Sequence, residues 1–190
     1  MPLSGTPSCN DCGSATCQQQ LQQQFQLSAG NCGLLNFFAF NGTSIEKVTL
    51  PQSVTSIEEA AFLNCEKLEK LEMKSSHHLK SIGKDAFNGT QIESLCIGND
   101  VEKLEEGWRS GLESLYSIYI SVNKIYSYFG DKIAIENSDN KSSLVFAERD
   151  IDEEVSIPFI VAVRESVFGY CQNLRTIKFE ERSNRNKWSI

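Results

Sequence analysis

The residues best placed by type and spacing to do chemistry are four cysteines near the N-terminus, Cys9, Cys12, Cys17 and Cys32. A C-x2-C pair joined by two more thiolates would supply the ligands of a closed tetrahedral zinc site. Such sites usually contain a second C-x2-C pair or two histidines, and this segment has neither. We therefore predict no metal site. The four cysteines remain the candidates for one, with disulfides or a loose segment as the alternatives.

The other thiols and the histidines show no catalytic arrangement. Cys65 and Cys171 recur in the same sequence context, which indicates small apolar core residues. His77 and His78 are adjacent in a polar stretch. No nucleophile-and-base order, phosphate-binding glycine loop or H-E-x-x-H motif is present. We predict a protein that is not an enzyme and that uses no cofactor.

Charge divides the 190-residue chain into two segments. Residues 1–40 carry one charged side chain, Asp11, and the rest of the chain carries all the others. The net charge of −7 disfavours nucleic acid as a partner, because phosphate binding needs a basic face. We expect an irregular Cys- and Gln-rich segment over residues 1–38 and a folded unit over residues 39–190.

A repeat organises the second segment. The words Ala39-Phe40-Asn41-Gly42-Thr43 and Ala86-Phe87-Asn88-Gly89-Thr90 are identical, and Ala61-Phe62 and Val167-Phe168 begin related copies. An aliphatic ladder follows at five places: Ile45-x-x-Val48-x-Leu50, Leu68-x-x-Leu71-x-Met73, Ile92-x-x-Leu95-x-Ile97, Leu115-x-x-Ile118-x-Ile120 and Leu174-x-x-Ile177-x-Phe179.

The ladder predicts short strands that stack. Alternating apolar and polar positions have the period of a strand with one buried face, and a strand this short needs stacked copies to form a core. We predict an α/β-type solenoid, a right-handed superhelix of short parallel strands joined by irregular or short helical turns. Pro51 and Pro158 follow the ladder, where they would stop strand pairing.

The unit from Leu50 to Leu68 resembles the BspA-type leucine-rich repeat, whose pattern is roughly L-P-x-x-[VL]-x-x-I-x-x-x-A-F-x-x-C-x-x-L. The resemblance covers residues 39–190. The sequence departs from this pattern at two places, because we align Gly42 and Gly89 with the cysteine position that Cys65 and Cys171 occupy. In a third departure, Leu104-Glu105-Glu106-Gly107-Trp108 replaces the usual Ile and Ala-Phe.

Residues 121–154 interrupt the period. Residues 131–136 and 143–147 have strand-like composition and flank a turn-forming Asn-Ser-Asp-Asn stretch, so we predict one inserted β-hairpin. Trp188-Ser189-Ile190 matches part of a repeat in shape. We expect the chain to end mid-repeat, as a fragment of a longer protein, with an uncapped end that permits either a monomer or end-to-end association.

The outward side of the ladder is the predicted binding surface. Stacked strands would place its residues in two columns on a rigid face, and an exposed tyrosine there would be the natural anchor. The candidate residues are Lys47, Thr49, Lys70, Glu72, Ser94, Ser117, Tyr119, Thr176 and Lys178, with Cys96 on the same face. Tyr116, Tyr119, Tyr126 and Tyr128 are expected to cluster beside the hairpin.

The resemblance implies a surface or adhesin-like protein of bacteria or parasitic protists that binds a protein or another extracellular macromolecule. The sequence contains no membrane-spanning run and no signal peptide, so an intracellular, cytoplasmic scaffold using the same face is the alternative. A metal-binding or redox protein that uses the N-terminal cysteines is the more distant one.

Overall fold

The computed structural model describes residues 33–73, 78–138, 141–157 and 162–180. These residues form strands and turns and contain no helix, so the α/β label does not apply to them. The expectations for residues 1–32, which include Cys9, Cys12, Cys17 and Cys32, lie outside the described residues. The expectations for the last ten residues of the chain lie outside them as well.

The chain winds through about six rungs, and each rung contains a short strand, a corner and a longer strand. The short strands of rungs one to six are β1 (Leu34–Leu35), β3 (Ser56–Ile57), β5 (Ser81–Ile82), β7 (Lys103–Leu104), residues 143–144 within β11 (Lys141–Ala147), and β13 (Ala162–Val163). The longer strands are β2 (Lys47–Leu50), β4 (Lys70–Met73), β6 (Ser94–Ile97), β8 (Ser117–Ile120), β12 (Glu154–Ile157) and β14 (Thr176–Phe179).

Both sets of strands pair in parallel and in register. The first four short strands form one sheet in the order β1-β3-β5-β7, while the longer strands pair as β2–β4, β6–β8 and β12–β14. Leu50 faces Met73 and Leu95 faces Ile118 across these pairs, so the ladder positions of successive repeats meet. The parallel stack predicted from the sequence is therefore present, because only stacking can bury such short strands.

A column of stacked rings fills the corner side of the core. The rings of Phe40 and Phe62 lie 4.9 Å apart between centroids, and those of Phe62 and Phe87 lie 5.5 Å apart, nearly parallel in both pairs. All three side chains are buried. Backbone bonds reinforce the column, since the Phe40 N–H donates to the Ala61 carbonyl and the Phe62 N–H to the Ala86 carbonyl, both at 2.8 Å.

The corner turns correct one part of the sequence alignment. The N–H groups of Thr43, Cys65 and Thr90 each donate to the carbonyl of the corner phenylalanine three residues earlier, so the two threonines occupy the cysteine position. Gly42 and Gly89 instead align with Asn64, and all three have a positive φ between 56° and 77°. This left-handed conformation favours glycine and asparagine, which explains why these residue types recur at this position of the corner.

The fourth rung departs from the pattern further than the sequence indicates. The Leu112 N–H donates to the carbonyl of Arg109, just as the Cys65 N–H donates to that of Phe62. Arg109 therefore stands at the ring position, and the preceding Trp108 stands at the alanine position. Both side chains are buried.

The interruption is larger than a single hairpin. β10 (Ile133–Ser138) pairs antiparallel with β11 on one side and with β9 (Tyr126–Phe129) on the other. Ser143 and Leu144, in the middle of β11, also pair in parallel with β13, which returns the chain to the solenoid. The inserted sheet, β9 to β11, thus supplies the short strand of the fifth rung itself.

Two arginines join the fourth and sixth rungs across the break, and a third, Arg149 of the fifth rung, bonds to the fourth. Arg109 donates to the carbonyl of Val167 at 3.0 Å, and its guanidinium lies 4.7 Å from the ring centroid of Phe146. Arg164 donates to the Leu104 carbonyl at 2.6 Å, and Arg149 donates to the Leu115 carbonyl at 2.7 Å. Arginine side chains here donate to the carbonyl groups that backbone N–H groups would bond to between regular rungs.

Candidate functional site

The ladder face comprises the outward residues of the four neighbouring strands β2, β4, β6 and β8. Parallel register places Lys47 opposite Lys70 and Thr49 opposite Glu72 on the first pair. It places Ser94 opposite Ser117 and Cys96 opposite Tyr119 on the second. The Gln91 N–H donates to the Leu68 carbonyl at 2.9 Å, which links the two pairs. The structure therefore brings these residues together as facing pairs on two neighbouring two-stranded sheets, and their role in binding stays a prediction.

Thr176 and Lys178 lie on a different sheet. They belong to β14, which pairs with β12 so that Thr176 faces Glu154 and Lys178 faces Ser156. The inserted sheet separates this pair from β8 along the chain. Of the predicted binding residues, these two are the ones outside the ladder face.

The charged end of the ladder face carries one ion pair and one further positive charge, Lys70. The Lys47 ammonium lies 2.6 Å from a Glu72 carboxylate oxygen, and the Thr49 hydroxyl donates to Glu72 at 3.3 Å. The Lys47 ammonium also lowers the pKa of the Glu72 carboxyl. Both partners of the ion pair are about half exposed, so its contribution to stability is small.

The outward positions of β6 and β8 hold no acidic or basic side chain. We call these residues, Ser94, Cys96, Ser117 and Tyr119, the ladder centre, because β6 and β8 are the third and fourth of the six longer strands; Tyr119 is 76% exposed. Partial desolvation raises the pKa of the Cys96 thiol, which therefore stays protonated and is a poor nucleophile.

The four tyrosines near the interruption have different roles. Tyr126 is buried and its hydroxyl accepts the Leu104 N–H at 2.9 Å, and burial raises its pKa to about 12. The Tyr128 hydroxyl donates to the Ile118 carbonyl. Tyr116 and Tyr119 are exposed. Only tertiary contacts separate the two structural tyrosines from the two that a partner could reach.

The later cysteines do not form a reactive centre. Cys65 is buried and its thiol donates to the Phe40 carbonyl at 2.9 Å, and burial raises its pKa. Burial raises the pKa of the Cys171 thiol as well. His78 lies at the surface with its Nδ1 2.8 Å from Asp100, and His77 lies outside the described residues. Within the described ranges, no group of three or more metal-binding side chains comes together.

Asn41-Gly42-Thr43 and Asn88-Gly89-Thr90 match the N-glycosylation sequon, and both lie in corner turns. The Thr90 side chain is buried, and its hydroxyl donates to the Phe87 carbonyl at 2.8 Å. The Thr43 hydroxyl lies 3.4 Å from the Cys65 sulfur. The hydroxyls therefore serve the corner, which explains the Asn-Gly-Thr word without a glycan. The third sequon, at Asn140, begins outside the described residues.

The parallel rungs, the ring column and the outward ladder define a solenoid of leucine-rich repeats. A family model for the BspA type leucine rich repeat region matches residues 34–150 in six copies, more than half of the chain. The chain belongs to this family, whose members are typically not enzymes. No curated protein matches it.

Three solved bacterial proteins have a similar fold. The pneumococcal vaccine antigen PcpA aligns at 23% identity and a TM-score of 0.67 over 76% of this chain and 36% of its own. A leucine-rich repeat protein from Eubacterium ventriosum aligns at 22% identity and a TM-score of 0.61, over 76% of this chain and 44% of its own. A leucine rich cell surface protein from Faecalibacterium prausnitzii aligns at 20% identity and a TM-score of 0.59, over 75% of this chain and 43% of its own. The chain thus spans less than half the length of each.

In the parts of the chain that the structure describes, no helix has the length and apolar character needed to cross a membrane.

Proposed function

We propose that this chain is a non-enzymatic binding module of a cell-surface protein and that it recognises a partner protein through the ladder face. The observation that carries the proposal is the two strand pairs β2–β4 and β6–β8, each in register and each presenting two columns of outward side chains. Leu95 and Ile118, the inward neighbours of these columns, are buried, which holds the face in one conformation before a partner arrives.

The family and the fold neighbours support a surface role. The chain belongs to the BspA-type repeat family, and two of the similar structures are described as a cell surface protein and a vaccine antigen. Raised pKa values at the buried Cys65, the half-buried Cys171 and the exposed Cys96 argue against an alternative use of the described cysteines in nucleophilic chemistry.

Binding to isolated extracellular-matrix and cell-surface proteins tests the role of the ladder face. A variant with Lys70→Ala, Glu72→Ala and Tyr119→Ala should lose at least tenfold in affinity, because it truncates three outward side chains of the ladder face, including its exposed tyrosine. The matched control is Lys80→Ala with Glu102→Ala, an exposed pair 3.8 Å apart beside the short-strand sheet. Equal loss in both variants would place binding elsewhere.

Protease treatment of intact cells that express the parent protein tests the location. A surface protein should be cleaved by a protease added outside the cells. Protection until the cells are lysed would instead favour the intracellular scaffold.

A further inference from the structure

The charges on the ladder face are segregated along the stack of strands. On β2 and β4 the outward positions hold Lys47, Thr49, Lys70 and Glu72; Glu72 pairs with Lys47, and Lys70 leaves one net positive charge. On β6 and β8 the four outward positions hold no carboxylate, amine or guanidinium group. Uncharged outward positions therefore adjoin charged ones on the ladder face.

We infer that the partner contacts the ladder centre through a protein segment that is apolar and of low net charge, with Tyr119 as the anchor; this inference rests on the proposed function. The central parts of protein interfaces are depleted in charge and enriched in tyrosine, and their rims are polar. The ladder centre and the adjoining charged strands reproduce that arrangement. A charged segment would lose hydration at the ladder centre and find no opposite charge there.

Tyr119 and Val122 are the exposed apolar side chains at the end of β8. Tyr119 is 76% exposed, and Val122, two residues past the strand, is 89% exposed. Tyr116, just before the strand, is 46% exposed but interacts with Asp150 of the insertion, so it is not counted with them.

The ladder centre is also well supported from below. Leu95, Ile97 and Ile118 project inward from the same two strands and are at most 2% exposed. The Tyr128 hydroxyl bonds to the Ile118 carbonyl, which attaches the inserted sheet to β8 directly beside Tyr119. A tyrosine side chain has few rotatable bonds, so its ordering on binding costs little entropy.

Short random-sequence peptides displayed on phage provide the probe. The full chain is immobilised, and each selected peptide is synthesised and its affinity measured by fluorescence anisotropy at two salt concentrations. We expect peptides rich in apolar and aromatic residues with little net charge. Their affinity should change less than about twofold between about 50 mM and 500 mM salt, since salt chiefly screens interactions between charges.

Substitutions then locate the peptides. Tyr119→Ala should weaken binding by about thirtyfold, the factor that corresponds to the loss of a hot-spot side chain. Tyr119→Phe should retain binding within about threefold if the ring is the anchor. The Lys80→Ala, Glu102→Ala variant is the control and should bind like the wild type.

The outcomes separate this inference from the proposed function. Highly charged peptides that lose binding in Lys70→Ala or Glu72→Ala, or that weaken steeply with salt, would overturn the apolar-partner inference and leave the ladder face as the binding surface. Peptides that bind the triple ladder variant as tightly as the wild type would overturn both. A selection that yields no peptide sensitive to Tyr119→Ala would overturn the anchor.

Discussion

Replacing Phe62 by alanine would remove the middle ring of a stack that crosses three successive rungs. The side chain is fully buried, with ring centroids 4.9 Å from Phe40 and 5.5 Å from Phe87. Truncating a buried phenylalanine costs about 3–5 kcal/mol. A stacked ring pair stabilises by about 0.5–1.5 kcal/mol beyond the burial of its area. Because Phe62→Ala breaks two such pairs, we expect the free energy of unfolding to fall by an amount at the upper end of the range for phenylalanine, about 4–5 kcal/mol.

Urea unfolding followed by circular dichroism measures this loss. By thermal unfolding, a change of that size should lower the melting temperature by roughly 8–20 °C in a chain of this length. Phe62→Leu keeps most of the volume and should cost about 1.5 kcal/mol or less. Tyr119→Ala, at an exposed position, should stay within about 0.5 kcal/mol of the wild type.

A Phe62→Ala cost below about 1 kcal/mol would refute the reasoning, because no buried ring between two others could be lost so cheaply. A Phe62→Asp variant that kept the cooperative transition of the wild type would do the same, since an unpaired carboxylate in the core is strongly disfavoured.

Three further changes probe the break and the close contacts between rungs. Arg109→Ala should cost at least about 2 kcal/mol in urea unfolding, and Arg109→Met less, because methionine fills the space without a buried charge; equal losses would mean that the guanidinium bonds matter more than the volume. Between pH 10 and about 12 the folded chain keeps the Tyr126 proton that the unfolded chain releases, so stability should fall as the pH rises through this window. Tyr126→Phe should remove that component of the pH dependence. A profile that Tyr126→Phe leaves unchanged would contradict the burial of the hydroxyl. Gly83→Ala should lower the melting temperature sharply, because its Cβ would lie 2.5 Å from the Glu59 backbone nitrogen; a normal melt would mean that the rungs can separate there at little cost.

The parts of the fold that could be predicted are those encoded by local repetition. Leu50, Leu95 and Ile118 lie at ladder positions because alternation along a strand decides which side chains face the core. Phe62 and Phe87 mark corners because the same word recurs. The sequence also placed Lys47, Glu72 and Tyr119 correctly on the outward face, since that follows from the same alternation.

The fifth rung was missed because one of its ladder positions is polar. The position three residues before Val155 holds Asp152, whereas the other rungs have Ile or Leu there, so the aliphatic pattern breaks at β12. Its short strand, residues 143–144 within β11, also lies inside the stretch that reads as an interruption. Thr176 and Lys178 were consequently assigned to the same face as the first four longer strands, and the structure places them beside β12.

Arg109 shows a second reason why sequence reasoning fell short. An arginine at a ring position gives no apolar signal, and its partners, the carbonyls of Val167 and Gly169, lie about 60 residues away. Tyr126 and Tyr119 likewise have the same residue type and a similar context in the sequence. One is buried under the Leu104 N–H and the other is exposed, and that difference depends on contacts between distant segments.

The sequence by itself determined the repeat, the parallel stacking, the family resemblance and the outward columns of the ladder, because each of these depends on residues a few positions apart. Tertiary structure alone decided how the solenoid passes the interruption, which arginines bridge it, and which tyrosines stay at the surface. These depend on which rungs become neighbours in space, and rung contacts join residues that local periodicity does not relate.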